Sequence, residues 1–403
     1  MIEMDCTCTQ GHHCIPTEVI EISDNALEKI ADILSAYHRI FMVADENTYQ
    51  VAGRRVEGLL QAAGLLSHTL VLPVPALPNA ESIGRVLMEA GQDREVYDIN
   101  AWSLNPDYIL AVGSGSLNDT CRMVSYRLGI PYGIVGTAPS MDGYASVVAP
   151  LLNGRKKIVY NCSIARHIII DLTVNAAAPY PLLLSGAGDM LGKYVAILDW
   201  EISRDRNGEY FCEKIADMVL TATAQCAEAA YGLEKREPAA IRAASEGLIL
   251  SGECIAFCGS SRPASGTEHM IAQTWEVMDV EDGHVPNLHG IEVGEGTFAA
   301  MEIFRKLHRE THDKGMKGLI EKYLPAFDRL ETLQKTLKLP FTVTDRERFV
   351  DGVLRGRTFR DRYTVLQYLY DLGRLEEYAE AAYDAMMEKH YFGTFRERFP
   401  DWK

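Results

Sequence analysis

Gly259-Ser260-Ser261-Arg262-Pro263-Ala264-Ser265-Gly266-Thr267-Glu268-His269 carries one imidazole into a turn that reads as the start of a helix, and Asn287-Leu288-His289-Gly290 supplies a second. Ser265 at a cap with Glu268 three residues on predicts a capping box, which would put His269 in the first helical turn. The loop Asp282-Gly283-His284-Val285-Pro286-Asn287 predicts a break, with His289 opening the next helix. Upstream, Ser185-Gly186-Ala187-Gly188-Asp189-Met190 places a carboxylate after a glycine-rich approach to a helix, within an otherwise apolar run. One carboxylate and two imidazoles with a position left open are the donors a catalytic divalent metal uses to polarise a carbonyl or an alkoxide. The same residue types have a plainer use, as a hydrogen-bonded core histidine or a capping aspartate, and no short motif ties the three together.

A second cluster stands at the N-terminus: Cys6-Thr7-Cys8-Thr9-Gln10-Gly11-His12-His13-Cys14. Its thiols and imidazoles could chelate Zn²⁺, but the Cys-x-Cys spacing departs from a Cys-x2-Cys knuckle and no second ligand pair follows in sequence. The alternative is a loosely ordered terminus. The other cysteines, among them Cys212, Cys226, Cys254 and Cys258, lie in helical patterns and read as reduced core residues.

The elements that must position these side chains fall into two kinds. From Glu18 to about Thr173, short β-branched runs alternate with amphipathic helices, the pattern of parallel strands joined by helical crossovers. Arg39 to Asp45, Thr69 to Val74, Tyr108 to Val112, Tyr132 to Gly136 and Arg166 to Leu172 read as strands, and Val147 to Tyr160 as a hairpin turning at Asn153-Gly154. After Tyr108 to Val112 comes Gly113-Ser114-Gly115-Ser116-Leu117-Asn118-Asp119 and then a helix. Strand, glycine turn and helix in that order suit a nucleotide phosphate, though a turn that merely packs has the same sequence. Asp45, at a strand end, suits a ribose hydroxyl or a helix cap. Thr137-Ala138-Pro139-Ser140-Met141-Asp142-Gly143-Tyr144-Ala145-Ser146 is a polar loop at the end of a strand, where open α/β sheets bind ligands. Beyond Ala176-Ala177-Ala178-Pro179-Tyr180-Pro181 every segment has helical period. The expected organisation is therefore a Cys/His-rich segment over 1–17, a Rossmann-like domain over 18–178 and an all-α helical bundle over 179–403.

Bulk properties narrow the function. With 47% hydrophobic and 24% charged residues the chain reads as an ordinary globular protein, and 403 residues suggest about two domains. A net charge of −16 argues against nucleic acid or an acidic membrane as partner, while leaving room for a local pocket for a small phosphate. No apolar run is long enough to span a membrane, and Met1-Ile2-Glu3-Met4-Asp5 lacks the basic start of a signal peptide, so a cytoplasmic location is expected.

Taken together, Gly136 through Ser146, Gly186-Ala187-Gly188-Asp189 and Ser260 through His269 with Leu288-His289-Gly290 resemble the iron-containing alcohol dehydrogenase and dehydroquinate synthase superfamily. The resemblance covers the chain after about residue 15 and is strongest to the glycerol-1-phosphate dehydrogenases. It implies a dehydroquinate synthase-like fold and reversible reduction of dihydroxyacetone phosphate by NADH or NADPH. It also implies that Gly113, Ser114, Gly115, Ser116 and Leu117 hold the pyrophosphate, with Thr137, Ala138, Pro139, Ser140 and Ser146 along the cofactor and Asp45 at its adenosine end. Asp142, Asp189 and Gln273 would meet the substrate. Asp189, His269 and His289 would bind one divalent metal, with Zn²⁺ ahead of Ni²⁺ or Fe²⁺. Two departures stand out: Gln273 replaces the usual histidine, and Arg122 replaces a common lysine. A glycerol or related polyol dehydrogenase is the nearest alternative. A dehydroquinate-synthase-like cyclase is disfavoured, because those enzymes carry glutamate as first ligand. Arg262 is a candidate for the substrate phosphate and His284 for a proton source, each with a structural alternative. A homo-oligomer is compatible with all of this.

Overall fold

The computed structural model of the chain describes residues 1–90 and 105–402, which divide into two compact units. The first unit comprises Met1–Met4 and Cys14–Ala178; the second comprises Asp5–His13 and Pro179–Lys403. The strands β1 (Ile2–Asp5) and β2 (His12–Ile15) form a small two-stranded sheet at the start of the chain.

The first unit is built on a six-stranded sheet of β3 (Val19–Ser23), β4 (Ile40–Asp45), β5 (Leu66–Leu72), β6 (Tyr108–Gly113), β7 (Tyr132–Gly136) and β10 (His167–Asp171), in the order β3-β10-β7-β6-β4-β5. Every pairing is parallel. The central strands β4, β6 and β7 are buried on both faces, which is why they read as unbroken apolar runs. Chain direction across the sheet reverses at β4. The strand after it, β5, lies on one side and β6 on the other, so the carboxyl ends of β4 and β6 flank the crevice where such sheets bind ligands. The hairpin of β8 (Val148–Asn153) and β9 (Lys156–Asn161) is antiparallel and turns at Gly154, whose φ of 61° a side chain would resist. Asn153 and Lys156 close it, leaving Arg155 and Lys156 exposed at the tip.

Among the described residues the second unit contains helices and no strand after residue 179. The α/β part followed by an all-helical part is the architecture expected from the change in hydrophobic period. Two boundaries differ: the strand expected over Thr69 to Val74 runs from Leu66 to Leu72, and one apolar stretch is divided. The apolar stretch from Leu182 to Ile202 is two helices, Tyr180–Leu191 and Lys193–Asn207, divided at Gly192. A β-carbon at Gly192 would come within 3.0 Å of Glu268 and 3.1 Å of both Val293 and Thr297, so the break lies where other helices press closest.

Glu302, buried in the His289–Glu310 helix, accepts bonds from Arg305 Nη1 at 2.9 Å, His390 Nε2 at 3.2 Å and Lys389 Nζ at 3.4 Å. Burial alone would raise its carboxyl, but the bond from His390 and the charges of Lys389 and Arg305 hold it down to about 2. A carboxylate depressed in the folded state stabilises fully above its unfolded value of 4.5, and that contribution is lost as pH falls through about 2. Glu302→Gln is therefore expected to cost about 3–5 kcal/mol in urea unfolding at neutral pH. The gap from the unsubstituted chain should close in acid.

Candidate active site

In the first unit, β6 runs into the Gly115–Leu128 helix through Gly113 and Ser114. A β-carbon at Gly113 would lie 2.3 Å from Leu117 Cδ1, so the tight turn excludes any side chain. Ser114 occupies the cap position yet makes no side-chain bond to the helix; its hydroxyl instead meets Ser140 Oγ at 2.6 Å. The first-turn N–H groups of Gly115, Ser116 and Leu117 thus keep the free, positive helix end that an anion needs. Thr137 N donates to Gly113 O at 3.0 Å, tying the 137–146 loop to the glycine turn, and Tyr144 OH donates to Ala138 O at 2.7 Å across the loop itself. Ser146 Oγ accepts from Val148 N at 3.2 Å, and Asp142 is buried in the same loop. Asp45 forms a capping box with Thr48, accepting its N–H at 2.7 Å, so the helix-cap role is realised. It stands at the end of β4, in the strand beside β6.

Arg122 explains its own departure from lysine. Fully buried, it donates Nε to Tyr132 OH at 2.8 Å, Nη2 to the carbonyls of Gly143 at 2.5 Å and Tyr144 at 3.1 Å, and Nη1 to the carbonyl of Val148. A fork of donors can satisfy several loop carbonyls at once; a single ammonium reaches fewer.

In the second unit, Asp189, His269 and His289 converge: their ligand atoms lie within 4.8 Å of one another. Asp189 is wholly buried in the Tyr180–Leu191 helix, His269 lies in the first turn of Thr267–Asp282, and His289 opens His289–Glu310. The glycines before Asp189 are not an approach to the helix but part of it. A β-carbon at Gly188 would stand 2.0 Å from Gly290 O, and one at Gly290 would stand 1.8 Å from Ser185 O, so the glycines let two helix backbones touch where Asp189 and His289 meet. Gly188→Ala is expected to destabilise the chain by about 1–3 kcal/mol. It should also weaken metal binding, which calorimetric titration would read.

The cap expected at Ser265 is also displaced. Gly266 is the cap residue, Glu268 accepts its N–H at 2.8 Å, and Thr267 N donates to Asp199 Oδ2 at 2.6 Å. A buried carboxylate from the neighbouring helix has taken over the serine's task, and Ser265 Oγ has no partner among the described residues.

Both imidazoles are oriented by carboxylates. His269 Nδ1 bonds Glu268 Oε1 at 2.7 Å and His289 Nδ1 bonds Glu276 Oε1 at 2.8 Å, so the Nε2 atoms are the nitrogens that could ligate an ion. His269 Nε2 faces Asp189 Oδ1 at 3.5 Å. Burial opposes a charged His269, but Asp189 and Glu268 raise it above the ordinary histidine value. Asp189 Oδ1 also accepts from Lys193 Nζ at 2.6 Å, a fully buried pair one helical turn apart. Burial would push the Asp189 carboxyl up; Lys193, with His269, holds it well below the usual carboxylate range. An anionic carboxylate beside two carboxylate-anchored imidazoles is a donor set that could hold a divalent ion.

Sequence reasoning missed Lys193, Glu276 and a pair of arginines. Glu276 and Lys193 follow Gln273 and Asp189 by three and four residues, a helical spacing that could have signalled them. Gln273 Oε1 accepts from Arg360 Nη2 at 3.1 Å, and both Arg360 and Arg362 donate to Ser261 Oγ, at 2.9 and 2.7 Å. Burial lowers both guanidiniums from their usual values, and Arg360 and Arg262 press Arg362 down further. Arg262 itself is engaged structurally: its Nε donates to Glu209 Oε1 at 2.7 Å and its Nη2 to Glu209 Oε2 at 2.5 Å. His284 lies exposed in the loop before His289.

Comparison with known proteins agrees with this arrangement. The sequence profile described as iron-containing alcohol dehydrogenase matches residues 21–179. A glycerol-1-phosphate dehydrogenase (NAD(P)+) of Bacillus licheniformis is 31% identical over 382 residues, covering 92% of this chain and 93% of that protein. One of Halalkalibacterium halodurans is 30% identical over 315 residues, covering 77% and 76%. The crystal structure of glycerol dehydrogenase from Schizosaccharomyces pombe superposes with a TM-score of 0.66 at 15% identity, covering 96% of this chain and 92% of that one, which shows the shared fold. The chain belongs to the iron-containing alcohol dehydrogenase family and is an oxidoreductase, its curated relatives being the glycerol-1-phosphate dehydrogenases. No described helix is long and apolar enough to cross a membrane.

Proposed function

We propose that the chain interconverts dihydroxyacetone phosphate and sn-glycerol 1-phosphate, using NADH or NADPH and one divalent ion at Asp189, His269 and His289. The observation that carries this reading is the meeting of those three donors with both Nδ1 atoms already bound to carboxylates. Zn²⁺, Ni²⁺ and Fe²⁺ all suit one carboxylate and two imidazoles. Bound there, the ion would supply a Lewis acid for the carbonyl oxygen and the dinucleotide would supply the hydride.

The chain's own part is positioning. Lys193 keeps Asp189 anionic, Glu268 and Glu276 aim the imidazoles, and the Gly113 to Leu117 turn with Thr137, Ser140 and Ser146 would cradle the dinucleotide. Arg360 is the group best suited to the substrate phosphate, since a guanidinium matches phosphate oxygens in pairs and this one donates to Gln273, four residues along from His269. Gln273 then has a use that a protonated histidine would not fill: its amide oxygen accepts from Arg360 without adding a positive charge.

NADH oxidation is measured with dihydroxyacetone phosphate, with dihydroxyacetone and with no ketone. Each is repeated after chelation and after return of Zn²⁺ or Ni²⁺. Oxidation with the phosphorylated ketone only, abolished by chelation and restored by metal, is expected. Equal rates with both ketones would overturn the phosphate assignment, and no oxidation with either would overturn the dehydrogenase reading.

A further inference from the structure

The N-terminal thiols do not lie loose. Cys6, Cys8 and His13 meet Cys212, which is distant in sequence, and the four ligand atoms lie within 4.8 Å of one another inside the helical unit. Cys6 Sγ is 3.4 Å from Cys212 Sγ, Cys8 Sγ is 3.3 Å from His13 Nε2, and Cys212 Sγ is 3.9 Å from His13 Nε2. With metal–ligand bonds of about 2.3 Å to sulfur and about 2.0–2.1 Å to nitrogen, the edges of a tetrahedral zinc site are about 3.8 Å between sulfurs and about 3.6 Å from sulfur to nitrogen. The two sulfur-to-nitrogen separations bracket their edge, and the sulfur–sulfur separation of 3.4 Å falls short of its own by less than the length change a bound ion would impose.

The surroundings are those of a ligand set rather than of four core residues. His13 is buried and its Nδ1 lies 3.0 Å from the carbonyl of Phe257, so Nδ1 carries the proton and Nε2 presents its lone pair to the sulfurs. Cys6 N donates to Gly11 O at 2.9 Å and Gly11 N to Cys8 O at 3.0 Å, a turn closed by Gly11 at φ 70° that folds Cys6 and Cys8 to one side. Cys8 N lies 3.4 Å from Cys6 Sγ, and Tyr210 OH lies 3.3 Å from Cys8 Sγ, both donors suited to thiolates. Cys212 is the cap residue of the Glu213–Ala229 helix and faces its positive end. Lys214 Nζ donates to Asp5 O at 2.8 Å, bringing a cation to a site whose three thiolates outnumber the ion's charge by one. His12 pairs with Asp5 at 3.0 Å and Cys14 is exposed, so neither joins the group.

We propose that Cys6, Cys8, His13 and Cys212 bind a structural zinc ion, separate from Asp189, His269 and His289. All four positions are filled by protein, which leaves no place for substrate. Binding would release the thiol protons to solvent and fix residues 6–13 against the helical unit.

The full chain is purified under reductant, stripped, and reconstituted with Co²⁺. Of the clusters of metal-ligating side chains among the described residues only this one contains thiols, so it alone would yield a sulfur-to-cobalt charge-transfer band in the near-ultraviolet with strong tetrahedral bands in the visible. The band is expected in the unsubstituted chain and in His289→Ala, and absent from Cys6→Ser/Cys212→Ser with an unchanged far-ultraviolet circular dichroism spectrum. Should the double variant fail to fold, titration of the unsubstituted zinc protein with a mercurial is expected to release one zinc per chain, with the exposed Cys14 consuming reagent without release; no zinc released would overturn the proposal. No charge-transfer band in the unsubstituted chain, or a Cys6–Cys212 disulfide in zinc-free protein by intact mass, would overturn the proposal.

Discussion

His269→Ala is expected to lower kcat/KM for ketone reduction by about a thousandfold. A Lewis acid at the reacting oxygen contributes several kcal/mol, and each ~1.4 kcal/mol is a factor of ten. The substitution removes one ligand nitrogen and also frees the Glu268 oxygen that anchors the ring, though that oxygen keeps its bond to Gly266 N. Dinucleotide binding, followed by nicotinamide fluorescence, should change little, because the glycine turn belongs to the other unit. His284→Ala is the matched control: this histidine is exposed, and its substitution should leave turnover intact. Full activity in His269→Ala would remove the imidazole from the chemistry.

Arg360→Ala separates substrate recognition from catalysis. Loss of a charge-assisted bond to phosphate costs about 1.5–3 kcal/mol, so kcat/KM for dihydroxyacetone phosphate should fall about ten- to hundredfold. The rate with unphosphorylated dihydroxyacetone should stay within about twofold, since that ketone never had the contact. Arg262 offers the contrast. It is held by Glu209, Ser203 and the carbonyl of Tyr363, so its removal would act through stability and affect both ketones alike. A parallel fall for both ketones in Arg360→Ala would assign Arg360 the same structural part.

The alternation of buried strands and amphipathic helices, followed by unbroken helical period, made the two-part architecture legible, because burial on both faces leaves a continuous apolar run and a bundle leaves none. The convergence of Asp189, His269 and His289 was legible through its motif words, whereas the reason for the glycines was not. Gly188 reads in sequence as part of an approach to a helix because close backbone approach and chain reversal select the same residue. Ser265 misled for a related reason: a local cap was expected, and Asp199, far away in sequence, supplies the bond instead. Arg360 and Cys212 were invisible as site residues because nothing in their neighbourhoods distinguishes them from solvated or core positions. Only the folded chain brings the first to Gln273 and the second to Cys6.

The most direct measurement is anomalous diffraction at a metal absorption edge from crystals of the chain grown with Zn²⁺ or Ni²⁺. A peak bonded by one Asp189 oxygen and by Nε2 of both His269 and His289, at about 2.0–2.2 Å, is the predicted result. Catalytically active crystals with no density between those three side chains, or with the imidazoles turned from one another, would contradict it.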